Sequence, residues 1–159
     1  MALTPQQLAT LKADVLANGD TAALYNDGNL SGLADLYNAD ASPDYIVWRS
    51  KVTQDEIMLN GFDWTRVDNL NAGPARVWEW MFSNQSRSID PSKPNVRAGI
   101  DAVWKGTAAD LAVRAAVYVH CKRKARRLEK LFATGAGTDA NPSVMVYEGE
   151  VPYVEFVGL

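Results

Sequence analysis

The chain has 159 residues, 47% of them hydrophobic and 22% charged, with a net charge of −3, the size and balance of one globular domain with its own core. No apolar run approaches the ~20 residues a membrane-spanning helix needs, and the opening MALTPQQLATLKADVL lacks the basic-then-apolar pattern of a signal peptide. The single cysteine, Cys121, excludes an internal disulfide, so the expectation is a soluble protein made in a reducing cytoplasm.

Thr4 and Pro5 suit the N-cap and first position of a helix that runs through Leu8, Leu11, Val15 and Leu16 to Asn18-Gly19. A weaker helical pattern covers Thr21 to Tyr25, and after the turn cluster Asn26 to Asn29 a short helix spans Leu30 to Tyr37. Ser42-Pro43 opens a connection carrying Tyr45, Ile46, Val47 and Trp48. Thr53 with Glu56 fits a capping box, which predicts a helix from Gln54 to Leu59 ended by Asn60-Gly61. Phe62 and Trp64 pin the next loop, and Gly73-Pro74 starts a helix through Trp80 to Asn84. Ser86 to Ser92 reads as irregular, and Pro94 begins a helix with Val96, Ile100, Val103 and Trp104 on one face. Gly106 suits a left-handed helix end.

Thr107 begins what reads as the longest element, with Asp110 at capping-box-like spacing although Asp is a poorer partner there than Glu. Leu111, Ala115, Tyr118, Cys121, Ala125, Leu128 and Phe132 recur in steps of three and four, and no Gly or Pro intervenes before Gly135. Residues 135–142 read as a flexible linker. Beyond them Ser143 to Glu148 and Glu150 to Phe156 are rich in Val and Tyr, with Pro152 restricting the second run to an edge. The fold class expected is mainly α: a helical bundle with one long helix, about residues 107–134, and a C-terminal β-hairpin or extended arm. The domain organisation is 1–134 helical, 135–142 linker and 143–159 β-prone arm.

Charge is distributed unevenly. Between Thr107 and Thr134 lie seven basic and two acidic residues, a net +5, which leaves −8 on the rest of a chain whose total is −3. Such polarity suits head-to-tail self-assembly or an anionic partner. Lys122, Arg123, Lys124, Arg126, Arg127 and Lys130 are the candidate contacts with DNA or an acidic protein surface; complementing a helix C-terminus is the competing structural role. Trp78 and Trp80, two apart on one helix, cannot share a face, so if one is buried the other is expected at a subunit interface or under a loop. Val144, Val146, Tyr147, Val151, Tyr153 and Phe156 are the candidate docking residues of an arm that adds to a partner or folds back on its own helices.

No catalytic, metal or cofactor site is expected. His120 and Cys121 are adjacent on a helix and point about 100° apart, too far for a nucleophile pair, and one His with one Cys cannot supply a zinc ligand set. Asp55-Glu56 and Glu148/Glu150 suit helix-start charge and solvated strand positions. Gly135-x-Gly137 follows a helix and precedes no Lys, unlike a phosphate loop.

Asp63-Trp-Thr with Ala75-Arg-Val-Trp-Glu-Trp80, Asn95-Val-Arg-Ala-Gly-Ile-Asp101, Gly106-Thr-Ala-Ala-Asp-Leu-Ala-Val-Arg114 and Glu129-Lys-Leu-Phe-Ala-Thr-Gly135 together resemble small virion proteins of tailed bacteriophages, most of all the head–tail connector (adaptor) group. The resemblance implies a non-enzymatic structural protein. It would form a ring of identical subunits between portal and tail, with no small-molecule substrate, cofactor or membrane. The extended C-terminal segment would grip the portal or a neighbouring subunit, and the basic residues would meet DNA in the channel or an acidic neighbour. A small DNA-binding or packaging accessory protein, and another capsid or tail component, are the alternatives.

Overall fold

The computed structural model describes residues 2–59 and 61–159 and is mainly helical. In chain order the elements are α1 (Pro5–Ala17), α2 (Gly19–Asn26), α3 (Leu30–Asn38), β1 (Ile46–Trp48), β2 (Val52–Thr53), α4 (Gln54–Leu59), α5 (Thr65–Asp68) and α6 (Ala72–Met81). They continue with β3 (Ser88–Ile89), α7 (Pro94–Val103), α8 (Ala108–Cys121), β4 (Lys122–Lys124), α9 (Arg127–Phe132) and a 3-10 turn at Tyr153–Phe156. β1 pairs with β4 and β2 with β3. Among the described residues no helix is long and apolar enough to cross a membrane.

Helix starts obey local chemistry. Thr4 accepts the Gln7 N–H while the Gln7 side chain accepts the Thr4 N–H, and Pro5 fills the first position. Thr53 and Glu56 exchange the same bonds at α4, as do Thr107 and Asp110 at α8. The expected stop of α4 at Asn60 lies outside the described residues. Gly106 does not adopt the left-handed conformation expected of it; a Cβ there would sit 2.9 Å from the Asp110 carboxylate, so close approach is what favours glycine.

The two caps make stability acid-sensitive. Glu56 accepts the Thr53 N–H and meets Arg49 at 2.6 Å, which together hold its carboxyl down to about 2 from an ordinary 4.5. Arg66, at 2.6 Å, lowers the Asp110 carboxyl, helped by the Thr107 N–H. A carboxylate with a depressed folded pKa adds stability that is complete above its unfolded value and lost as pH falls toward the folded one. Stability should therefore fall from about pH 4.5 toward pH 2, and Glu56→Gln should flatten this limb in urea titrations run across it. An unchanged acid limb in the variant would contradict the assignment.

The chain divides into two compact units: residues 1–47 with 124–159, and residues 48–123. Residues 135–142 and 143–159 thus belong to the same unit as the N-terminal helices. In this first unit Leu11 and Val15 of α1, Leu33 and Tyr37 of α3 and Leu128 of α9 pack with Tyr147, Val151 and Phe156 of the C-terminal segment. Burying three aromatic rings together with aliphatic side chains supplies most of its cohesion. In the second unit Phe62, Trp78 and Trp104 form a ring cluster with centroids 5.4–5.9 Å apart, closed by Ile100, Val103, Val113, Val117 and Cys121. Here β2 and β3 pair antiparallel through Val52–Ile89 and Thr53–Ser88, where an irregular segment was expected.

The single long helix over 107–134 is corrected. α8 stops at Cys121, Lys122–Lys124 are extended and α9 restarts at Arg127. Backbone groups that would have bonded within a helix find other partners: Arg49 N–H donates to Cys121 O, Ala125 N–H to Tyr45 O, Ala41 N–H to Ala125 O and Arg127 N–H to Ala39 O. The restart has its own cap, because the Glu129 carboxylate accepts the Arg126 N–H at 2.9 Å. The expected apolar stripe is also partly misplaced. Val113, Val117 and Cys121 face the core, whereas Leu111, Ala115 and Val119 face outward.

The β-hairpin is corrected too: among the described residues the two Val/Tyr-rich runs do not pair. Thr134 and Val144 form an antiparallel bridge, and Val47 and Ser143 a parallel one. Further on, the Asn38 side chain imitates a strand partner, donating to Val151 O at 3.0 Å and accepting the Val151 N–H at 2.8 Å. Pro152, with no N–H to offer a ladder, then leads into the 3-10 turn. The glycine-rich stretch is laid against β1, with Ile46 N–H donating to Gly137 O at 2.8 Å. Gly137 has φ +67°, and a Cβ on it would collide with the Tyr45 ring, so glycine serves close approach here.

Candidate functional site

The six candidate basic residues fall in both units: Lys122 and Arg123 in the second, Lys124, Arg126, Arg127 and Lys130 in the first. In the first unit their positions follow from β4 and from the six-residue helix α9. Each cation there has a defined neighbour. Lys124 meets Asp44 at 2.7 Å, which raises its pKa, and Arg126 meets Glu150 at 3.0 Å. Arg127 lies over the Tyr37 ring, donates to Asp20 at 3.1 Å and stands 3.8 Å from Asp14. Its guanidinium lowers the Asp20 carboxyl. Lys130 sits over the Tyr45 ring at 5.6 Å.

Arg127 and Lys130 line a cleft of about 540 Å³ together with Asp14, Asp40, Leu36 and Leu131. Asp14 also accepts the hydroxyl of the buried Tyr37, and burial with that neighbour pushes the phenol up. The cleft therefore carries both signs of charge, and a purely anionic ligand would meet two carboxylates beside the two cations. Counted whole, this unit holds five basic and eleven acidic residues, a net −6, whereas the other holds eleven basic and eight acidic, a net +3.

The six candidate docking residues of the C-terminal segment separate by burial. Tyr147, Val151 and Phe156 are core residues of their own unit; Val144, Val146 and Tyr153 are exposed. Gly149 between them donates its N–H at 3.0 Å to Glu129, a carboxylate that is 0% exposed. That anchor escaped the sequence reading, although Glu129 three residues after Arg126 is the spacing of a cap.

Compared with known proteins, the chain matches no family model, no curated sequence and no solved structure.

In the second unit Trp78 is buried and Trp80 is 68% exposed, as their two-residue separation requires. Cys121 is fully buried and its thiol is pushed up to about 12 by burial, so it stays protonated at neutral pH. Among the described residues no three His, Cys, Asp or Glu side chains gather as a metal-binding group.

Proposed function

We propose that the chain is a structural virion protein of a tailed bacteriophage, a head–tail connector or adaptor that assembles as a ring of identical subunits between portal and tail. It is made in the host cytoplasm and ends in the particle. The observation that carries this reading is the division of charge, −6 on one unit and +3 on the other. Opposite fields on two parts of one chain favour contact between unlike parts of neighbouring copies and oppose contact between like parts. The resemblance of residues 63–65, 75–80, 95–101, 106–114 and 129–135 to small virion proteins suggests the virion context, and the exposed C-terminal residues Val144, Val146 and Tyr153 supply a surface for portal or neighbouring subunit.

DNA contact through Lys122 to Lys130 receives less support. In the first unit three of the four cations already face carboxylates, and a phosphate backbone would approach a unit of net −6. The proposal is tested by mass spectrometry on purified particles of the phage that encodes the chain, with cryo-EM of the neck. The expected result is a stoichiometric ring next to the portal. Absence of the chain from particles that contain portal and tail would overturn it.

A further inference from the structure

Helix α8 is apolar on two opposite faces. Successive residues turn by about 100°, so Val113, Val117 and Cys121 share the buried arc while Leu111, Ala112, Ala115 and Val119 share the arc across from it. Leu111 is 44% and Val119 70% exposed. A helix face turned to water ordinarily carries charged or amide side chains; here none of Leu111, Ala112, Ala115 and Val119 is polar, and Arg114 of the same helix is ion-paired to Asp101 at 3.5 Å. A helix apolar all round is normally covered on both sides, and within its own unit α8 is covered on one.

A second exposed apolar surface lies on the other unit. Tyr153, Val154 and Val157 are all more than half exposed, and residues three apart on a 3-10 turn, such as Val154 and Val157, fall on one side. The segment that carries it is acidic: residues 131–159 contain Asp139, Glu148, Glu150 and Glu155 and no Lys or Arg, and of these carboxylates Glu150 is paired with Arg126. α8, by contrast, belongs to the unit of net +3.

We infer that the chain associates head to tail, the Tyr153–Val157 surface of one copy covering the Leu111–Val119 face of α8 on the next. Charge selects this pairing. α8 on α8 would bring two net-positive units together, and tail on tail would bring two wholly acidic segments together, whereas tail on α8 joins opposite signs. A contact made by two different faces is heterologous, so each added copy leaves one face of each kind open until the assembly closes. The inference rests on the self-assembling reading above and names the two faces that meet.

The test uses the full chain and two variants, Val119→Glu and Val154→Glu, whose side chains are exposed and whose fold is checked by circular dichroism and melting temperature. In sedimentation velocity the wild-type chain should assemble with rising concentration, and each variant alone should need at least about 10-fold more protein to do so, because a charge in an apolar contact is left unpaired. Mixed in equal amounts, the variants should form a 1:1 species and nothing larger, through the intact tail of the first on the intact α8 of the second. Val154→Glu alone assembling like wild type would overturn the inference in favour of α8-on-α8 contact. Val119→Glu alone doing so would overturn it in favour of tail-on-tail contact. A wild-type chain that stays monomeric, or a mixture that does so while the wild type assembles, would also overturn it. A 1:1 species from a chain absent from phage particles would uphold the contact and defeat the virion reading, so the two failures are distinguishable.

Discussion

Replacing Glu129 by Ala should cost about 3 kcal/mol, because two partly buried backbone N–H groups, on Arg126 and Gly149, lose their buried acceptor together, each worth about 1–3 kcal/mol when left unmade. For a chain of this length that corresponds to a melting temperature lower by roughly 10 °C. Loss of the carboxylate acts at two places. It uncaps α9, and it releases the Gly149 bend from which Val151 and Phe156 enter the core. Glu129→Gln should lose far less, since an amide oxygen still caps the helix. Glu150→Ala, which removes only the exposed pair with Arg126, should change stability by less than about 1 kcal/mol. Urea unfolding of the three variants checks the ranking; equal losses for Glu129→Ala and Glu150→Ala would contradict it.

The second large effect is at Trp104, 0% exposed and edge-on to both Phe62 and Trp78. Trp104→Ala should cost about 3–5 kcal/mol as the ring cluster opens a cavity. Trp104→Phe should cost much less than its lost volume suggests. Among the described residues the buried Trp104 Nε1–H has no hydrogen-bond partner, and an unmade buried donor carries a penalty of about 1–3 kcal/mol that Phe removes. The two terms nearly cancel, leaving a net change within about 1 kcal/mol. Chemical denaturation measures both variants. A Phe variant as unstable as the Ala variant would mean that the indole N–H is satisfied in solution.

What the sequence discloses about this fold depends on how far apart the deciding partners lie. Thr53 with Glu56, Thr107 with Asp110 and Pro94 mark helix starts because each signal acts within one turn, and those starts are found where the spacing predicts them. The break after Cys121 carries no such local mark. It is set by Ala39, Ala41, Tyr45 and Arg49, some eighty residues earlier, whose backbone groups pair with residues 121–127. The nearly uniform apolarity of Ala108–Cys121 also lets more than one helical stripe fit, which is why Leu111 and Ala115 read as core and face water instead. In the C-terminal segment Val and Tyr favour strands by propensity, yet Tyr147, Val151 and Phe156 are buried in one cluster with residues of α1, α3 and α9, packing that a lone two-stranded hairpin lacks.

The candidate contacts follow the same logic. Counting Lys and Arg locates the basic segment, but not the carboxylates of Asp14, Asp20 and Asp44 that reach it from α1, α2 and the loop before β1. Nor does any linker-like composition at residues 47–48 or 123–124 mark where the two units divide. Once that division is known, a charge asymmetry first seen along the chain becomes one between two folded bodies, which is the form in which it can direct assembly.

The proposed self-assembly of this chain as a structural protein is tested most directly by its mass in solution against concentration. In sedimentation equilibrium of the full chain at low salt the weight-average mass should rise above the 17.4 kDa of one copy as concentration increases, and fall back when salt screens the opposed charges. A mass fixed at 17.4 kDa up to the solubility limit, at every salt concentration, would contradict it.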